Sequence, residues 1–115
     1  MEKLQLLFHK LKYKVEVHHN LSKARILLEI RKYSKPDMHK NYDSFICIFL
    51  SHGWRKLVIY EERYDIGNFI KARDDDIHLE RDVYGQFLGE KCSSLIGKPK
   101  IFIIQVNFEY SKLNV

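Results

Sequence analysis

Apolar positions along the chain switch between two periods. Leu4, Leu7, Phe8 and Leu11 stand at i, i+3, i+4 and i+7, the spacing of one helix face. Val15 and Val17 then alternate with polar residues, which predicts a short strand. Ser22 has the chemistry of an N-cap, and Ile26, Leu27, Ile30 and Tyr33 supply a buried face for the helix behind it. Pro36 biases Lys35 away from helical geometry, so that helix is expected to stop near Tyr33. Phe45 to Leu50 is an unbroken apolar run, short enough for a strand and suited to one covered on both faces. Leu57 to Tyr60 and Asn68 to Ala72 predict a hairpin turning at Asp65-Ile66-Gly67. Asp74-Asp75-Asp76 lead toward a helix start, where carboxylates meet the positive end of the dipole. Leu79, Val83, Tyr84, Phe87 and Leu88 give that helix its face, although Gly85 and Gly89 each weaken it by ~1 kcal/mol. Gly97-Lys98-Pro99 ends it and opens a last strand, Ile101 to Ile104. Helices alternating with apolar strands predict an α/β sandwich with a largely parallel sheet.

Composition narrows the class. The chain has 115 residues, 45% hydrophobic and 13% aromatic, which fits one folded domain. No apolar run approaches the ~18 residues that cross a membrane, and the N-terminus lacks the pattern of a secretory signal. Two cysteines, Cys47 and Cys92, do not make a disulfide framework, and a reducing, cytoplasmic setting is expected. The net charge of +5 is spread among carboxylates without a basic stripe, so nucleic acid is not an expected partner.

Chemistry gathers at two strand ends. The Phe45–Leu50 run delivers Ser51-His52-Gly53, and the last strand delivers Gln105-Val106-Asn107. Neighbouring strands place His52 and Asn107 at the same end of a sheet. Asp43-Ser44-Phe45, Ser51-His52-Gly53, Cys92-Ser93-Ser94-Leu95, Gly97-Lys98-Pro99-Lys100-Ile101-Phe102 and Gln105 occur in an order that resembles the large-subunit part of a caspase, from about Leu4 to Gln105. The caspase signature places its cysteine in Gln-Ala-Cys-Arg/Gln/Gly-Gly, with the histidine ~50 residues upstream. His52 precedes Asn107 by about that interval.

The resemblance implies roles. In this family a thiolate attacks the carbonyl after an aspartate, a histidine manages the proton, and backbone N–H groups stabilise the oxyanion. His52 matches the acid–base, Gly53 one oxyanion donor and Gln105 a residue of the pocket for the substrate aspartate. Asn107 occupies the nucleophile position, where a carboxamide offers no ionisable proton near neutral pH. Val106, Phe108 and Glu109 replace the other signature residues, and an anionic Glu109 opposes an acidic substrate. The family also has a strand before the helix that starts here at Leu4, lying between the strands that match Val15 and Phe45, and a small subunit with further strands. This sequence has no counterpart of either, so the fold must leave a gap between Val15 and Phe45 or close it.

The expected fold is therefore a caspase-like three-layer α/β sandwich with a mostly parallel sheet, incomplete through the lack of the first strand and small subunit. Residues 1–105 form the large-subunit-like domain and 106–115 a divergent tail, consistent with an unspliced or truncated-gene product. The expected function is that of a caspase-family polypeptide of apoptotic or inflammatory proteolysis, catalytically inactive, acting by binding caspase relatives or their adaptors. A splice form or fragment of an active caspase that cleaves after Asp, and a non-enzymatic α/β binding module, are the alternatives. No cofactor and no metal are expected: His9, His18, His19, His39 and His78 show no ligand spacing, and the adjacent His18 and His19 diverge on a strand. Cys92 and Cys47 read as structural thiols, Trp54 as a cleft residue or loop anchor, and Asp74-Asp75-Asp76 as a cap and loop without calcium-ligand spacing.

Overall fold

The computed structural model describes residues 2–60 and 63–108, with the backbone alone at 54, 58–60, 63–65 and 106–108. Two α-helices open it: α1, Glu2–Lys10, and α2, Lys23–Tyr33. Ser22 caps α2 as its chemistry predicts, its side chain accepting from the Arg25 N–H at 3.2 Å, and the helix ends at Tyr33. The last turn of α1 is closed by the Tyr13 N–H donating to the Phe8 carbonyl and the Lys12 N–H to that of His9, with Lys12 left-handed at φ 71°. That is a Schellman closure with lysine where glycine is usual, sealed by the edge-to-face Phe8–Tyr13 contact at 5.8 Å.

Four strands form one sheet in the order β3-β2-β1-β4: β1 is Phe45–Tyr60, β2 Arg63–Lys71, β3 Asp76–His78 and β4 Lys100–Phe108. The α/β, caspase-like class stands, while the sheet is mixed rather than mostly parallel. β1 and β4 pair in parallel; β1 with β2, and β2 with β3, pair antiparallel. The long β1 explains the difference. The apolar Phe45–Leu50 run and the Leu57–Tyr60 segment fuse into one strand, whose second half carries the hairpin.

Four further expectations are corrected. Asp65-Ile66-Gly67 lies within β2 opposite Val58, Leu57 and Lys56, not at a turn; the ladder runs out to Tyr60 opposite Arg63. Val15 and Val17 are in an extended segment that makes no ladder, and the Phe45–His52 half of β1 has a strand partner only in β4 among the described residues. The gap between Val15 and Phe45 is thus left open, spanned by the Tyr13 hydroxyl at 2.7 Å from that of Ser44. The single helix expected from Leu79 to Leu88 is instead a π-helical turn, Leu79–Val83, and two 3₁₀ segments, Tyr84–Phe87 and Gly89–Leu95. A Cβ at Gly85 would sit 3.1 Å from the Glu80 carbonyl oxygen, and Gly89 has φ +56°, so the backbone departs from α geometry where glycine permits it. The acidic run also serves a different helix from the expected one: Asp74 accepts from the Lys23 N–H, at the first residue of α2.

The core lies on one side of the sheet, where Ile30 of α2, Ile70, Ile77, Leu79, Val83 and Phe87 are buried. Phe45, Phe49, Phe102 and Ile104 pack onto it from β1 and β4. Phe45 stacks on Phe87 at 4.6 Å and holds the start of β1. Burying such side chains stabilises the fold by roughly 1.5–3 kcal/mol each. On the opposite face Leu50, Ile101 and Ile103 are over two-fifths exposed.

Candidate active site

The candidate chemistry lies where the parallel β1–β4 ladder ends, at the carboxyl end of β4 and midway along β1. Its register is continuous from Phe45 opposite Lys100 to Gly53 opposite Phe108. That register brings His52, Asn107 and Gly53 into adjacent rungs, His52 opposite Asn107 and Gly53 opposite Phe108, with Gln105 two rungs back opposite Leu50. His52 and Gln105 are exposed to solvent. Among the described residues the His52 ring has no hydrogen-bond partner, so nothing there fixes its tautomer. Beside it the Ser51 hydroxyl donates to the Lys71 carbonyl at 2.6 Å, tying the middle of β1 to the end of β2.

Gly53 is buried and flanked on both sides, by Phe108 in the parallel ladder and Ile70 in the antiparallel one. The sequence places Ser51-His52-Gly53 where a strand gives way to a loop; here the strand continues through them. Trp54 follows in the same strand, opposite Phe69. Val106, Asn107 and Phe108 belong to the backbone of β4, whereas the rest of the expected tail, 109–115, lies outside the described residues.

Burial raises the pKa of both thiols. Cys47, in β1, is pushed up to about 12 by burial. Cys92 is buried, with its sulfur 3.8 Å from the Lys35 carbonyl oxygen and 4.0 Å from that of Tyr33. Burial raises its pKa as well, which disfavours the reactive thiolate.

Elsewhere the structure assembles groups that linear spacing does not announce. His39 is buried, its Nε2 donating to the Tyr33 carbonyl at 2.6 Å, and its ring lies 5.0 Å from that of Phe45. Glu80 accepts from both the backbone and the side chain of Asn68. Glu16, His18 and Glu29 converge on one another across the extended segment and α2. The only signal of that cluster in the sequence is the Glu16-Val17-His18 alternation, which on an extended chain sends both polar side chains the same way. Among the described residues no helix is long and apolar enough to cross a membrane.

Comparison with known proteins identifies relatives of the chain. The family model described as Caspase domain matches residues 1–112. Caspase-6 of Rattus norvegicus is 40% identical over 98 residues, covering 85% of this chain and 30% of the relative. Caspase-6 of Bos taurus is 38% identical over 104 residues, 90% of this chain and 31% of the relative. Caspase-3 of Mesocricetus auratus is 36% identical over 103 residues, 90% of this chain and 32% of the relative. The chain therefore spans about a third of the length of these curated relatives.

Proposed function

Because the chain belongs to the caspase-domain family, we propose that it is a caspase-type polypeptide without turnover of its own, which acts by binding relatives of that family or their adaptors. One observation carries the first half: the residue opposite His52 in the parallel ladder is Asn107. His52 holds the acid–base position, Gly53 that of an oxyanion donor and Gln105 that of a pocket residue, but a carboxamide neither forms a thiolate nor leaves as an acyl carrier. Loss of a nucleophile in another protease lowers turnover by ~10⁶, and a loss of that order applies here. For the second half, β4 is the last strand in the sheet order, and its outer edge has no strand partner among the described residues. An unpaired edge accepts a further strand through main-chain hydrogen bonds.

The span of the match, about a third of each relative, supports a second reading, in which the same polypeptide is part of a longer aspartate-directed protease that supplies a cysteine elsewhere. A downstream coding segment that supplies the cysteine would establish the second reading, whereas incubating the chain itself with an aspartyl fluorogenic peptide tests the first. The expected result is no release above buffer. Release abolished by His52→Ala and retained in Cys92→Ala overturns the inactive reading. Sedimentation equilibrium with a full-length caspase tests binding separately, the expected result being a complex of defined stoichiometry.

A further inference from the structure

The extended segment 13–19 carries Glu16 and His18 two residues apart, and α2 presents Glu29 to them. His18 Nε2 lies 3.4 Å from Glu16 Oε1 and 3.5 Å from Glu29 Oε2. One ligand atom from each of the three lies within 4.8 Å of the others. Zinc held at 2.0–2.1 Å by nitrogen and oxygen in a tetrahedron separates its ligands by about 3.3–3.4 Å, close to both spacings. The third residue adds an independent sign. Glu29 Oε2 is enclosed by protein and has no hydrogen-bond partner among the described residues, an expensive condition for a carboxylate oxygen. His18 Nε2, 3.5 Å away, is within ion-pair distance of this oxygen but makes no hydrogen bond to it. Arg25 reaches the other oxygen, Glu29 Oε1, at 3.8 Å, and Lys32 reaches Glu16 Oε1 at 3.4 Å.

We propose that Glu16, His18 and Glu29 form a divalent-cation site of the zinc class, its fourth position open to solvent, which fastens the extended segment onto α2. Two carboxylates and one imidazole suit a borderline metal ion and neutralise its charge. The exposed sides of Glu16 and His18, 41% and 32%, leave an entry path and room for a water ligand. Lys32 and Arg25 sit on mobile, exposed stems, 48% and 60% accessible, and swing aside when a cation takes their place. The consequence is structural. A segment that makes no ladder with its neighbours gains a fixed anchor on the helix it crosses. This site is separate from His52 and stands whether or not the chain has any proteolytic role.

Cobalt(II) titration of the full chain at neutral pH tests it, because a tetrahedral site gives strong visible absorption. One cobalt per chain is expected, displaced by zinc, with a rise in the thermal midpoint. Glu16→Gln and His18→Gln, both at partly exposed positions, are expected to weaken binding at least ~10- to 100-fold. Lys32→Ala, which removes the competing ammonium, tightens it, and His19→Gln and His9→Gln leave it unchanged. Absence of the visible band overturns the proposal, as does a band that survives His18→Gln or disappears only in His19→Gln.

Discussion

His52 and Asn107 are direct register partners across the parallel ladder between β1 and β4. The pairing matters because a general acid–base and a nucleophile must come within hydrogen-bond reach, and adjacent rungs of two parallel strands provide that proximity. On the proposed reading the scaffold keeps this spatial relation while Asn107 cannot supply the nucleophile. The setting of Gly53 points the same way. A backbone donor for an oxyanion has to point at open space, and Gly53 is instead buried between two strand partners.

The two thiols are expected to be unreactive in the native state. With Cys47 pushed up to about 12 and Cys92 raised by burial, little thiolate exists at pH 7.5. Alkylation by iodoacetamide is expected to run at least ~100-fold slower than in denaturant, where an ordinary thiol titrates near 8.5. Mass spectrometry of timed quenches reads the rate at each cysteine. Rapid native labelling of Cys92 would restore it as a candidate nucleophile.

Stability is expected to decline on mild acidification through His39. Burial first, and the Lys98 charge second, hold its pKa below the ordinary 6.5. The unfolded chain then binds a proton more readily than the folded one. The stabilising contribution is complete above pH ~6.5 and is lost as pH falls toward the folded-state value. Urea midpoints measured from pH 7.5 to 5 are expected to fall in the native sequence and to fall less in His39→Gln. Parallel curves for the two proteins would exclude His39 as the cause.

What the sequence disclosed was local. Ser22 and Tyr33 bound α2 because capping and the Pro36 constraint act within a few residues. Likewise, the apolar runs of β1 and β4 and the pairing of His52 with Asn107 follow from strand length and order. Errors arose where a local signal had two meanings. Gly67 reads as a turn residue, yet it sits buried in β2 opposite Lys56, where the long hairpin brings two backbones together. The Leu79, Val83 and Phe87 spacing reads as one helix face, and all three are buried, but Gly85 and Gly89 let the backbone break into short turns. Glu29 joins Glu16 and His18 only through the packing of α2, which no spacing rule contains. His39 was likewise invisible as a core residue, since its partner is a backbone carbonyl.

Lys12 is expected to be a position of stored strain. It adopts φ 71° at the closure of α1, a region that costs a side-chain-bearing residue roughly 1–2 kcal/mol. Lys12→Gly removes that cost and keeps both closing hydrogen bonds, which come from the backbone. Since α1 contains no buried residue, its gain is best read locally. Amide exchange at Lys12 and Tyr13 is expected to slow by ~5- to 10-fold, against a larger loss of glycine entropy in the open state. Faster exchange in the variant would mean that the lysine side chain supplies more than it strains.

Association through the open sheet is expected from the geometry of β4. Leu50, Ile101 and Ile103 are 42%, 44% and 42% exposed, and β4 ends the sheet order. Apolar side chains beside an unpaired edge favour strand addition, and a charge on such a strand opposes it. Ile103→Lys is expected to shift sedimentation velocity profiles toward the monomer across a concentration series. Because Ile103 faces away from the core that Phe102 and Ile104 join, the substitution is expected to change the urea midpoint by an amount worth less than about 1 kcal/mol. The same variant is expected to weaken capture of a full-length caspase, if both events use this edge. Loss of self-association with capture unchanged would place the partner on another surface, and unchanged profiles in both assays would remove β4 as the docking edge.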